Sequence, residues 1–108
     1  MSLDAMGDQL ERAADLHRTL KALADPVRRF LLDLLAEGEA TAGDLAASAA
    51  VNFGISAKRG SQHLQVLAKA GLVHVSPDGP WRTYELRPGG TDLLVEWLAR
   101  LERSARLN

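Results

Sequence analysis

A mainly α-helical domain carrying one small β-hairpin is the fold class this sequence predicts, and three observations predict it. Apolar residues recur at helical spacing in five separate stretches. Alternation of apolar and polar residues is confined to residues 72–76 and 81–86, around the turn Pro77-Asp78-Gly79-Pro80. The chain has 108 residues with no repeat, linker or low-complexity segment, which allows one domain (1–108) with a small core and no second one. Residues 1–7 are expected to be disordered or partly foreign to the natural protein, with Met6 as its start.

The first helix is predicted over residues 8–24, with Leu10, Ala13, Leu16, Leu20 and Leu23 on one side. Asp25-Pro26 ends it and begins the next: Asp is a favoured N-cap, and Pro at the first helical position loses no hydrogen bond. The second helix places Val27, Phe30, Leu31, Leu34 and Leu35 on a core-facing stripe and stops at Gly38. Thr41 and Asp44 form a capping pattern for a third helix reaching about Ala50. Asn52-Phe53-Gly54 reads as an irregular connection.

The fourth helix lies within residues 55–73, ISAKRGSQHLQVLAKAGLV. Ser56 caps it, Leu64, Leu67 and Ala68 give a buried stripe, and Gly71 ends it in the left-handed conformation, letting Leu72 fold back on Leu67. Lys58, Ser61, Gln62 and Gln65 fall off the stripe and face outward. The helix is polar on one side and free of acid, a surface suited to the DNA major groove. Two short helices joined by a Gly-containing turn make a helix-turn-helix candidate, and a hairpin directly after them makes a wing. Pro88-Gly89-Gly90 then leads to a last helix beginning near Thr91. It carries Leu94, Trp97, Leu98 and Leu101 on its apolar face, and Glu96–Arg100 and Glu102–Arg106 as pairs one turn apart.

The net charge of −1 conceals an uneven distribution. Residues 51–90 hold five basic side chains (Lys58, Arg59, Lys69, Arg82, Arg87) against two acidic ones, whereas residues 1–50 hold five against nine. A positive block between acidic and neutral flanks supports a nucleic-acid partner. Cysteine is absent, so thiolate metal sites, disulfides and cysteine nucleophiles are excluded. His17, His63 and His74 lie on different elements without a shared ligand spacing, and no metal or cofactor is expected. No nucleophile elbow, phosphate loop or HExxH pattern supports an enzyme. With no apolar run long enough for a bilayer and no secretory pattern, a cytoplasmic protein with no membrane partner is expected.

Three segments carry a family resemblance. LKALADPVRRFLLDLLAEG (residues 20–38) resembles the early helices of ArsR-type winged helix-turn-helix repressors. HLQVLAKAGLV (63–73) resembles the second half of their recognition helix, and SPDGPWRTYEL (76–86) resembles their wing. The resemblance implies a homodimer that places two recognition helices in successive major grooves of an operator, with effector binding changing the grip. It implies DNA contacts at Ser56, Ala57, Lys58, Ser61, Gln62 and His63, and at a wing tip containing Asp78, Gly79 and Arg82. Arg59 and Gln65 join this set by their chemistry. Two departures stand out: residues 48–55 exceed the usual turn region, and Gly60 occupies a position usually apolar. Gly60 costs about 1 kcal/mol of helix stability relative to Ala, and close helix packing is its expected reason.

The expected function is thus a sequence-specific, DNA-binding transcriptional regulator, a homodimeric repressor. A winged-helix protein-interaction module without DNA binding is the alternative. His63 either hydrogen-bonds DNA or is a partly buried residue satisfied locally; both readings stay open. Leu10, Leu16 and Leu20 of the first helix, with Leu94, Trp97, Leu98 and Leu101 of the last, offer more apolar surface than one small core can cover. They are the expected dimer interface. A small-molecule effector at that interface is compatible with the pattern but has no signature in it.

Overall fold

The computed structural model describes residues 3–108. Its elements are α1 (Leu3–Leu23), α2 (Pro26–Ala36), β1 (Ala40–Thr41), α3 (Ala42–Phe53), α4 (Ala57–Lys69), β2 (Val73–Asp78), β3 (Trp81–Leu86) and α5 (Asp92–Leu107). The three strands form one antiparallel sheet in the order β1-β3-β2. This is the architecture of a winged helix-turn-helix, with α3 and α4 as the helical pair and β2–β3 as the wing.

The core forms where the predicted stripes converge. From α2, Val27, Leu31 and Leu35 are buried; Leu45 and Ala49 of α3, Leu64 and Leu67 of α4, and Val73 and Tyr84 of the sheet close around them. Leu31, Leu45, Leu64 and Leu67 are the largest fully buried side chains, each contributing about 1.5–3 kcal/mol by leaving water. Capping follows the expected chemistry. The Asp25 carboxylate accepts from the Val27 and Arg28 N–H groups at 2.8 and 3.4 Å. Thr41 Oγ1 accepts from the Asp44 N–H at 3.2 Å.

Several boundaries differ from expectation. α1 starts at Leu3, so residues 3–7, expected to be disordered or partly foreign to the natural protein, are helical; residues 1–2 lie outside the described residues. Its monomer-facing residues are Thr19 and Ala22, while Leu10 is 66 % exposed and Leu20 37 %. Helix α3 runs three residues past Ala50, absorbing Asn52 and Phe53, and Gly54 caps it at φ 65°. The extra length of residues 48–55 is therefore an added helical turn rather than a longer loop. Phe53 fixes it by meeting Phe30 of α2 edge-to-face, with ring centroids 5.2 Å apart. Strand β2 continues through Pro77 to Asp78, leaving a two-residue turn. Pro77 is tolerated because β2 is an edge strand and its missing N–H faces no partner. Strand β1 pairs Ala40 with Tyr84 and Thr41 with Thr83; two residues are too few to show alternation in a sequence.

Helix α5 packs along α1 and has no buried residue. Glu96 does not pair with Arg100 as expected. It pairs with Arg12 of α1 at 2.9 Å, because the packed helix brings a guanidinium within reach. The Glu102–Arg106 pair forms at 2.8 Å. Both bridges are exposed and contribute about 1 kcal/mol at most.

Candidate nucleic-acid interface

The reading head is built from α4 and the corner that precedes it. Ser56 takes extended dihedrals and its Oγ accepts from the Arg59 N–H at 3.0 Å, so the helix begins in a defined orientation. At the other end Gly71, at φ 74°, donates to Ala68 O and Leu72 donates to Leu67 O, both at 3.1 Å. That pair of bonds is a Schellman cap, and it turns the chain directly into the wing. Between the caps Gly60, Leu64 and Leu67 are buried and set which face points away.

Gly60 is where α3 and α4 touch. A Cβ added there would stand 3.1 Å from Ala46 Cα and 3.2 Å from Ala46 O, so a side chain would fit only if the two backbones moved apart by a few tenths of an ångström. The expectation of close helix packing at this glycine is met.

The outward face carries Ala57, Lys58, Arg59, Gln62, Gln65 and Lys69, all exposed, while Ser61 is half-buried at its edge. No acidic residue lies on the helix. Among the described residues Lys58, Arg59, Lys69 and Arg82 have no ion-pair partner, so their charge is available to an external anion. Arg82 is exposed on β3, opposite Pro77 and beside the wing tip, where Asp78 and Gly79 also lie. This surface offers cations for phosphate and amides for base edges on one short helix, with Arg82 of the wing beside it.

His63 stands apart from that face. It is half-buried against the α1–α2 corner, where its Nδ1 accepts from Arg28 Nη1 at 3.1 Å. Burial lowers its pKa below the usual value of 6.5; Asp25 opposes this, and the nearby Arg28 and Arg59 reinforce it. Burial alone would raise the pKa of Asp25. The Val27 and Arg28 N–H groups, with the positive charge of His63 and Arg28, outweigh burial and hold it below the ordinary carboxylate value.

Two exposed residues escaped the sequence reading. Val66 is 39 % exposed on the same face as Gln62, and Trp81 is 62 % exposed at the wing. An apolar residue out of phase with the buried stripe was the available signal for Val66. Trp81 opens a strand whose alternation does not say which side faces solvent.

Together the capped, acid-free helix and the wing that presents Arg82 define a winged helix-turn-helix DNA-binding domain. A family model described as a helix-turn-helix domain matches residues 23–76. Transcriptional repressor SdpR of Bacillus subtilis is 34 % identical over 83 residues, covering 77 % of this chain and 88 % of that protein. Among solved structures, the ArsR family transcriptional regulator RHA00566 superposes with a TM-score of 0.78 at 26 % identity, covering 89 % of this chain and 95 % of the other. The homodimeric winged helix-turn-helix DNA-binding domain Mb0332 of Mycobacterium bovis, a possible ArsR-family regulator, gives a TM-score of 0.63 at 28 % identity. Coverage there is 98 % of this chain and 89 % of that one. The chain belongs to the ArsR family of winged helix-turn-helix transcriptional regulators and is a DNA-binding regulator of transcription. Its fold and family are those of regulators rather than of enzymes. Among the described residues no helix is long and apolar enough to cross a membrane, and no cluster of three or more His, Asp or Glu side chains could hold a metal ion.

Proposed function

We propose that the protein is a homodimeric repressor whose two copies of α4 read successive major grooves of an inverted-repeat operator. The observation that carries the DNA reading is the outward face of α4, acid-free, rich in Lys, Arg and Gln, and held by a buried face that leaves it one orientation. Lys58 and Arg59 lie in the first turn, where the helix N-terminus also favours phosphate. Ser61 and Gln62, one turn further on, are placed for base edges. Arg82 supplies the flanking contact from the wing.

The dimer reading rests on α5. An amphipathic helix of 16 residues with nothing buried has packed only part of its apolar face. Val95, Leu98 and Leu101 are 59, 50 and 49 % exposed, and Leu10 of α1 is 66 % exposed. Leu16 and Trp97 line a groove of about 390 Å³ between the two helices. A second copy meeting this face would cover it, as the homodimeric Mb0332 domain makes reasonable for a chain of the same fold. The repressor reading is supported by the similarity to a transcriptional repressor.

Selection of genomic fragments by the purified protein, followed by binding across a salt series, tests this reading. A recovered inverted repeat bound with steep salt dependence is expected. Weak, sequence-independent binding would overturn it in favour of a protein-interaction module.

A further inference from the structure

We propose that Arg28 is a positioning residue for DNA recognition, a single guanidinium that holds the recognition helix at a set angle to α1 through His63. The proposal rests on the DNA reading above and extends it to a residue outside the reading face.

The geometry spends nearly the whole guanidinium on this task. Arg28 Nε donates to Ala22 O at 2.7 Å, Nη2 donates to Lys21 O at 3.0 Å, and Nη1 donates to His63 Nδ1 at 3.1 Å. Asp25 Oδ2 stands 3.9 Å away, at the edge of ion-pair range. The Arg28 side chain is only 16 % exposed and is therefore no phosphate contact. Its two carbonyl partners are at the C-terminal end of α1, where the helix dipole favours a cation. One rigid, planar fork thus joins the end of the proposed dimer helix, the start of α2 and the middle of the recognition helix. Lysine, with a single flexible ammonium, cannot reproduce three fixed directions.

The chemistry of the His63 bond sets its conditions. A guanidinium has only donors and does not lose its proton in a protein. His63 Nδ1 must therefore be the acceptor, and the ring proton must sit on Nε2. A second proton on Nδ1 would turn two donors, and two cations, against each other. The charged groups facing this ring are Asp25 and Arg28 from the α1–α2 corner and Arg59 from its own helix. Gln62 is the adjacent residue and Ser61 lies two back, so loss of the clamp loosens the reading face about the orientation that its buried side sets. Protonation of a residue that touches phosphate would strengthen DNA binding. Protonation of a clamp should weaken it. The sign separates the two roles.

The test measures affinity of the full chain for the selected operator and for random DNA at fixed salt, from about pH 7.5 to about pH 5, a range that reaches well below the ordinary His value because burial holds His63 lower. Operator affinity is expected to fall about tenfold as pH drops, the size of one charge-assisted hydrogen bond, while random-DNA affinity rises with the charge of the histidines. His63→Leu, which leaves the carbonyl bonds of Arg28 intact, should lose about the same factor at neutral pH and show no fall on acidification. His63→Asn, whose Oδ1 can accept where Nδ1 did but does not titrate, should restore operator affinity with the same flat profile. Arg28→Gln should resemble His63→Leu; if it fails to fold, the two His63 variants decide. Nitrogen NMR of the wild-type ring should find the proton on Nε2. A proton on Nδ1, operator affinity that rises with acid, or wild-type binding by His63→Leu would overturn the proposal while leaving the DNA reading standing. Failure to select any sequence would instead overturn the DNA reading and, with it, any positioning role.

Discussion

Replacing Gly60 with alanine sets two known effects against each other at the contact that aims the recognition helix. Helix propensity alone favours alanine by about 1 kcal/mol. The new Cβ, however, would stand 3.1 Å from Ala46 Cα, 3.2 Å from Ala46 O and 3.4 Å from Ala46 Cβ. Carbon atoms prefer about 3.5–4.0 Å, so α3 and α4 must separate by about 0.4 Å. Two of the three close atoms are backbone, so no rotamer change relieves the contact. Overpacking of this kind costs about 1–3 kcal/mol, and the cost exceeds the propensity gain. Gly60→Ala should therefore be destabilising by about 1 kcal/mol, a fall of about 4–8 °C in melting temperature. Urea unfolding at one fixed protein concentration measures it, since a dimer's stability depends on concentration. Ala46→Gly in the same chain removes only the 3.4 Å contact and adds a second glycine to a helix, so the double variant should be less stable than either single one. A Gly60→Ala protein more stable than wild type, or a double variant that regains stability, would show that α3 and α4 have room to spare.

Other outcomes follow from the same structure. Lys58→Ala and Arg82→Ala should weaken binding to all sequences alike and lower the salt slope by about one unit each. Gln62→Ala should instead cost roughly 1–3 kcal/mol per half-site on the operator and relax selection at one base position; equal loss on random DNA would reverse the assignment. Leu98→Glu should yield monomer or unfolded chain, whereas wild type should sediment as a dimer at micromolar concentration; a wild-type monomer would refute the α1–α5 interface. Acid should destabilise the fold in two stages. His63 binds its proton less readily when folded, so the stability it confers is complete above about pH 6.5 and is lost as pH falls below that value. Asp25 likewise holds its charge more firmly when folded, and its share is lost below about pH 3.8. Urea midpoints for wild type and His63→Asn should differ by the absence of the first stage.

Periodicity and capping chemistry determined most of this architecture, because they act within a few residues. Asp25-Pro26, Thr41 with Asp44, Ser56 and Gly71 each satisfy or release particular backbone groups, and each boundary they mark is where the structure has it. The Leu64–Leu67 stripe likewise determined which side of α4 turns outward, and with it the candidate contacts at Lys58, Gln62 and Gln65. The change to alternating residues after Gly71 announced the wing. What the tertiary structure decided are relations between elements distant along the chain. Glu96 met Arg12 instead of Arg100 because two helices packed. Asn52 and Phe53 became helix because Phe30 offered a ring to close against. His63, equally consistent with a DNA contact or a local partner, was turned inward by an arginine 35 positions earlier. A pattern of spacing encodes which face of a helix is apolar, but a hydrogen bond between elements depends on their separation and angle. Those are set only when the whole core packs.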